Sequence, residues 1–136
     1  MRNSLPMKTD MIEITDDAEI KTLLLGILLA VDSFCKENGI FYHLASGTCL
    51  GAVRHGGFIP WDDDIDVAMM RNDYSRFVNE SPNLLKSNYF VQTVDTDSEY
   101  PYVFAKLRNS DTTFIENNLS DLSINHGIYI DIFPLD

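Results

Sequence analysis

Positive charge is scarce in this sequence of 136 residues, which has 10 Lys and Arg residues against 21 Asp and Glu residues. The resulting net charge of −11 argues against nucleic acid or an anionic membrane as a partner, because both are bound through basic surfaces. It leaves room for a small anionic ligand that is held at a local basic residue or through a metal ion.

Cysteines and long apolar runs are also scarce. Cys35 and Cys49 are too few for a disulfide framework, and we predict that both are reduced and buried, as in cytoplasmic proteins. The most apolar run, residues 23–31, is much shorter than the roughly 20 residues of a membrane span. The acidic residues before it do not fit a signal peptide. The sequence therefore predicts a cytoplasmic protein without a membrane span.

Hydrophobic residues make up 45% of the chain, enough to bury a core in one domain or part of one. Apolar residues from Ile20 to Cys35 keep the spacing of a long amphipathic helix, with Thr15 and Asp16 as candidate N-caps and Gly39 as the C-cap. We predict short helices at 49–55 and 73–79, the latter capped by Asn72, and strands at 40–45, 65–70, 89–93, 102–107, 112–115 and 127–133.

This order of elements predicts an α/β (α+β) domain. Residues 1–10 are expected to be a flexible N-terminus and residues 11–136 a single core. Because the last predicted strand lies so close to the end of the chain, we expect this to be the N-terminal portion of a larger protein, truncated at its C-terminus.

The stretch FIPWDDDID, residues 58–66, ends in four carboxylates. On an extended segment Asp62, Asp64 and Asp66 face one way and Asp63 the other. Such close like charges raise one another's pKa unless a divalent cation binds, and hard oxygen ligands suit Mg²⁺ or Mn²⁺. The alternatives are a solvated acidic turn and a calcium loop, but the latter needs glycine where Val67 stands.

A second motif lies where the first predicted strand meets a helix. Ser46, Gly47 and Thr48 form a turn whose backbone N–H groups and hydroxyls can hold phosphate oxygens. The guanidinium of Arg54 adds a fork suited to phosphate. The alternative is an ordinary helix entry beside a surface arginine, and the motif is not a Walker loop.

Asp131 is the lone charge in the apolar strand GIYIDIF, residues 127–133. A carboxylate there is either paired with a cation or functional. Lys106 and Arg108 are the basic residues most able to approach it, and a structural ion pair is the alternative to ligand binding for either. Together the turn, the alternating acids and Asp131 form a sound arrangement for two-metal phosphoryl-type transfer.

At these residues the chain closely resembles the LicD/fukutin family of the nucleotidyltransferase-fold superfamily. The matching segments are GTCLGAVRHGGFIPWDDDIDVAM (47–69), FAKLRNSDTTF (104–114) and GIYIDIFPLD (127–136). The resemblance implies a nucleotidyltransferase-like mixed β-sheet flanked by helices. It also implies transfer of phosphocholine, or a related alcohol phosphate, from a CDP-alcohol, typically CDP-choline, to a hydroxyl of a cell-surface glycan precursor, with Mg²⁺ or Mn²⁺ and release of CMP.

Carried over by position, the resemblance implies roles for individual residues. Gly47 and Thr48 occupy the superfamily's Gly-Ser/Thr motif, and Asp64 and Asp66 its metal-binding pair. Asp131 fits the third carboxylate, which also serves as a base, and Asp62 is an extra metal ligand. Members usually extend well past residue 136, and the further part is expected to complete donor or acceptor binding.

Two other functions fit the sequence. A glycosyltransferase could use the D-x-D acids to hold the diphosphate of a nucleotide sugar, and it would release a nucleoside diphosphate instead of CMP. A non-catalytic remnant would bind nucleotide or metal without turnover.

Overall fold

The computed structural model describes residues 13–14, 16–46, 48, 51, 56–57 and 64–136. Helix α1 (Asp17–Asn38) precedes strands β1 (His43–Leu44) and β2 (Asp66–Met70). Helix α2 (Arg71–Glu80) and a 3₁₀ turn (Ser81–Asn83) lead to β3 (Tyr89–Gln92) and β4 (Ala105–Asn109). After another 3₁₀ turn (Asn117–Leu119) the chain enters β5 (Ile128–Leu135). The predicted α+β class is confirmed.

The long first helix forms as its sequence predicts. The Asp16 carboxylate accepts the N–H of Ala18 at 3.0 Å, which satisfies one of the free donors at the helix start. Gly39 ends the helix with a φ of 66°, a left-handed conformation that costs glycine little. The buried face of α1 includes Ile27 and Val31, both with no exposed surface.

The five described strands form one mixed sheet in the order β1-β2-β5-β4-β3. β2 and β5 are parallel, and the other neighbours are antiparallel. Val67, Ile130 and Ile132 point to the face that α1 and α2 cover and are completely buried there. Side chains alternate along a strand, so Asp66 and Asp131 lie on the opposite face.

Part of that opposite face is covered by residues 93–127. A second apolar cluster forms there from Tyr100, Leu119 and Ile124, with Tyr102 and Leu122 packed against it. The polar side of the sheet is therefore buried near β3 and β4 by a segment whose helical part is the 3₁₀ turn Asn117–Leu119.

Several boundaries differ from the predictions. β1 spans two residues where 40–45 was predicted, and α2 begins at Arg71, directly after β2, with Met70 in the cap position in place of Asn72. β4 begins at Ala105 where Tyr102 was predicted, because residues 102–104 leave the sheet to join an aromatic cluster. The strand predicted at 112–115 is wrong: that segment is irregular and Phe114 donates its N–H to the carbonyl of His126.

Other sequence predictions have mixed outcomes. Cys35 is a free, buried thiol, and burial raises its pKa to about 12. Among the helices described, none has the length and apolar character needed to cross a bilayer. Cys49, most of the helix predicted at 49–55 and residues 1–10 lie outside the described residues.

Two glycines should respond in opposite directions to alanine. A Cβ on Gly127 would lie 2.2 Å from the backbone oxygen of Asn109, so Gly127→Ala must displace the β4–β5 pairing and should cost about 2 kcal/mol or more. Gly26 lies within α1, where a Cβ would meet only the Tyr89 hydroxyl at 3.8 Å. Gly26→Ala should gain about 0.5–1 kcal/mol. Urea denaturation of both variants measures this, and equal effects would contradict the predicted packing.

Candidate functional site

One row of polar side chains crosses four neighbouring strands. Asp66 on β2 is in register with Asp131 on β5, which is in register with Lys106 on β4 and, through it, with Gln92 on β3. Register partners on adjacent strands share a face and have their Cβ atoms about 5 Å apart. The pairing of strands therefore brings together acids that are 65 residues apart in sequence.

Within this row, the pKa of Asp66 is shifted above its ordinary value. Burial is the main cause that raises its pKa, to about 6, and the negative charges of Asp131 and Asp64 raise it further, whereas Lys106 opposes them. Asp64 is therefore near enough to act on the charge of Asp66, and the convergence of the alternating acids on one metal ion stays a prediction. A cation beside Asp66 would remove this penalty.

The predicted Ser-Gly-Thr turn is joined directly to Asp66. The Thr48 hydroxyl oxygen accepts the Asp66 N–H at 2.8 Å, and the Ala45 N–H donates to the Asp66 carbonyl at 2.9 Å. Ser46 has a φ of 52°, a left-handed conformation that is uncommon for a residue other than glycine. The Thr48 oxygen is an acceptor in this bond, and among the described residues its O–H has no acceptor of its own.

Lys106 is held inside the protein. Its side chain is 3% exposed, and Nζ lies 2.6 Å from Oδ1 of Asp131 and 3.7 Å from the ring centroid of Tyr129. Lys106 thus forms a structural ion pair with Asp131, which was the predicted alternative to ligand binding. Its predicted contact with a donor phosphate stays a prediction, and in this position the ammonium acts on Asp131.

Arg108 anchors a buried network next to this pair. Its side chain has no exposed surface and donates to Gln92 Oε1 at 2.7 Å and to the Gly127 carbonyl at 2.6 Å. The Glu116 carboxylate lies 3.4 Å from Arg108 and 3.9 Å from Lys106. Arg108 is thus also in a structural ion pair, and the network ties residues 116 and 127 to the sheet.

Sequence reasoning missed two members of this network. Glu116 is an isolated acid in an irregular segment, and Gln92 is an ordinary polar residue at the end of a strand. No pattern in the sequence marks either of them. The signal that could have found Gln92 is its register with Lys106, which requires the pairing of β3 with β4 to be known.

Some of the predicted site residues lie close together in the structure, and others lie outside the described residues. Asp64, Asp66, Asp131 and Lys106 belong to one neighbourhood, and Thr48 contacts it. Gly47, Arg54 and Asp62 lie outside the described residues.

The two adjacent carboxylates fit a hard divalent cation as part of its oxygen ligand set. Asp66 and Asp131 lie side by side, and burial together with the charges of Asp131 and Asp64 raises the pKa of Asp66, an effect that a bound cation would oppose. Within the described ranges, no group of three His, Cys, Asp or Glu side chains is placed to hold a metal ion. A complete site would therefore need a ligand from elsewhere, for which Asp62 stays the predicted candidate.

The fold and this row define an α+β domain with an acidic site on the face of its sheet opposite α1 and α2. A family model described as LicD/FKTN/FKRP, nucleotidyltransferase domain, matches residues 39–136. The chain belongs to this family, as its motifs predicted.

Similar proteins include transferases. The chain is 41% identical over 90 residues to the lipopolysaccharide cholinephosphotransferase LicD of Haemophilus influenzae, a match covering 65% of this chain and 34% of that protein. It is 49% identical over 35 residues to the human ribitol 5-phosphate transferase FKRP, covering 26% and 7%. Mannosyltransferase regulator 4 of Saccharomyces cerevisiae is 29% identical over 130 residues, covering 90% and 10%. The chain thus spans about a third or less of these relatives.

Proposed function

We propose that this chain is the catalytic core of a metal-dependent cytoplasmic transferase. The full protein moves phosphocholine, or a related alcohol phosphate, from a CDP-alcohol to a hydroxyl of a cell-surface glycan precursor and releases CMP. The observation that carries the proposal is the alignment of Asp66 with Asp131 on parallel strands, with Thr48 bound to Asp66. The cholinephosphotransferase and ribitol phosphate transferase among its relatives support transfer of an alcohol phosphate.

The residues of the site have distinct tasks in this proposal. Asp64, Asp66 and Asp131, with Asp62, would hold Mg²⁺ or Mn²⁺, and the bound metal supplies charge stabilisation for the attacking and leaving oxygens. Lys106 orients Asp131 through Oδ1, and the Asp131 carboxylate would take the proton of the acceptor hydroxyl.

The turn next to these acids would bind the donor. The Thr48 O–H, which is not used as a donor to Asp66, can donate to a phosphate oxygen, together with the N–H groups around Gly47 and the hydroxyl of Ser46. Arg54 is proposed to pair with the same phosphate.

Product analysis on the full-length protein tests the proposal. CDP-choline, CDP-ribitol and nucleotide sugars are each supplied with a glycan acceptor, with Mg²⁺ or with EDTA. We expect CMP from a CDP-alcohol, only with the metal. Release of a nucleoside diphosphate from a nucleotide sugar would identify a glycosyltransferase instead.

A non-catalytic role is the second candidate, because a relative named as a mannosyltransferase regulator matches 90% of this chain. Binding of metal and nucleotide without turnover of any donor by the full-length protein would support that role and overturn the proposed transfer.

A further inference from the structure

The Lys106 ammonium lies between two carboxylates. Its Nζ is 2.6 Å from Oδ1 of Asp131, which is a hydrogen bond, and 3.9 Å from Oε1 of Glu116, which is too long for one. Among the described residues, these two carboxylates are the ones within 4 Å of Nζ. A displacement of the ammonium by about 1 Å would bring it within hydrogen-bond distance of Glu116. Lys106 therefore has a second carboxylate within reach.

The charge of Lys106 is kept away from water. The side chain is 3% exposed, and Nζ lies 3.7 Å from the ring centroid of Tyr129, 5.6 Å from that of Tyr102 and 5.5 Å from that of Phe104. Ring faces attract a cation, but a buried ammonium also needs a counter-charge and hydrogen-bond acceptors. If Lys106 leaves Asp131, its charge must therefore be paired with another carboxylate inside the protein.

Glu116 is fixed where such a carboxylate is needed. It directly precedes the 3₁₀ turn Asn117–Leu119, and the Leu119 side chain is buried in the second apolar cluster. The fully buried guanidinium of Arg108 lies 3.4 Å from the Glu116 carboxylate and holds it in its charged form. The flexible four-carbon stem of Lys106 is thus the part of this group that can move.

The proposed metal ion and Lys106 both use Asp131. Asp131 is in register with Asp66 on the neighbouring strand, so an ion held by these two carboxylates lies close to Nζ of Lys106. Like charges at short range repel one another strongly in a buried site, where water and salt screen them little. A site in which Lys106 stays at Asp131 therefore binds a divalent cation more weakly than one in which the ammonium moves away.

We propose that Glu116 is a positioning residue for the metal site: it draws the Lys106 ammonium away from Asp131 when a divalent cation binds, and it thereby raises the affinity of the acidic row for that cation. The inference rests on the proposed function, since the cation is the one that Asp64, Asp66 and Asp131 are proposed to hold. Glu116 itself does not contact the ion. It acts through Lys106, because it is the carboxylate that keeps the buried ammonium paired.

Mn²⁺ binding to the full-length protein tests this role without donor, acceptor or turnover. Free Mn²⁺ is followed by EPR during a titration, at a pH well above the pKa of about 6 of Asp66. Glu116→Gln keeps an oxygen that can accept from Arg108 and removes the charge that attracts Lys106. We expect it to weaken Mn²⁺ binding roughly tenfold. An affinity equal to that of the wild type would overturn the inference.

A neighbouring acid supplies the matched control. Asp111 is exposed and lies in the same irregular segment as Glu116. Asp111→Asn removes the same charge from this segment without contact to Lys106 in the described structure, and its Mn²⁺ affinity should equal that of the wild type. A loss as large as that of Glu116→Gln would show that only the net charge of the segment matters, and it would overturn the inference.

A double-mutant cycle shows whether Glu116 acts through Lys106. The ammonium is absent in the Lys106→Met background, so adding Glu116→Gln there should change the Mn²⁺ affinity by about twofold or less. A loss in that background as large as the loss in the wild type would mean that Glu116 acts on the ion by another route, and the inference would be overturned.

A crystal structure of the wild-type protein with Mg²⁺ gives a test that does not depend on the folding of any variant. We expect Nζ of Lys106 to lie about 3 Å from a carboxylate oxygen of Glu116. If the ion is bound while Nζ stays 2.6 Å from Asp131 and 3.9 Å from Glu116, the inference is overturned.

The inference and the proposed function fail in different ways. If CMP is released with Mg²⁺ while Glu116→Gln binds Mn²⁺ like the wild type, transfer stands and the inference is overturned. If Glu116→Gln shows the expected loss of affinity but no CDP-alcohol is turned over, the role of Glu116 is supported and the proposed transfer fails. A wild-type protein that binds no Mn²⁺ would overturn the metal assignment and the inference together.

Discussion

The substitution Asp66→Asn is expected to lower CMP release from the CDP-alcohol donor at least about a hundredfold, a loss of about 2.7 kcal/mol of transition-state stabilisation. The variant keeps the shape of the side chain and the N–H that binds Thr48, so it removes only the charge that would hold a divalent cation. The rate is measured on the full-length protein with saturating Mg²⁺. Asp121→Asn, at an exposed acid outside the row, is the control and should keep normal turnover.

The same substitution, Asp66→Asn, should leave the stability of the fold unchanged or raise it. A carboxyl whose pKa is raised in the folded state destabilises the protein as pH rises from its unfolded pKa, about 4, through its folded value of about 6. At pH 7 in EDTA, Asp66→Asn removes this penalty, and its melting temperature should equal or exceed that of the wild type. A large drop would show that the lost activity comes from unfolding, and near-normal turnover would contradict the metal assignment.

The substitution Arg108→Met is expected to destabilise the fold by about 3 kcal/mol or more. It leaves the carbonyl of Gly127 and the amide oxygen of Gln92 without their buried donor and removes a counter-charge of Glu116. Each unsatisfied buried acceptor costs about 1–3 kcal/mol, and a buried ion pair that loses one partner is strongly destabilised. Urea denaturation of the wild type and the variant measures the difference.

A surface arginine provides the matched comparison. Arg76 pairs with Glu80 one turn away on α2, and its side chain is 43% exposed. Arg76→Met should cost about 1 kcal/mol or less, because water can solvate both the Glu80 carboxylate and the exposed Asn38 carbonyl that Arg76 also binds at 2.7 Å. Similar losses for the two variants would show that the Arg108 network does not hold residues 116 and 127 to the sheet.

Local signals were sufficient where one segment determines its own structure. The 3–4 spacing of apolar residues with Asp16 and Gly39 at the ends predicted α1, because capping and amphipathicity act within the helix. Alternation of side chains predicted that Ile130 and Ile132 face the core while Asp131 faces away, and this is confirmed. The strand predicted at 112–115 failed because its apolar residues do not find a partner strand.

The sequence by itself determined the family and the α+β class, and it predicted Asp64, Asp66 and Asp131 as the site, because motifs and the alternation of side chains are local features of the chain. Only the tertiary structure decided which of these residues meet. The register of β2 with β5 places Asp131 beside Asp66, and the register of β4 places Lys106 against Asp131, buried as an internal ion pair. The physical reason is that strand pairing is set by packing and hydrogen bonds between segments distant in sequence, which no local pattern encodes.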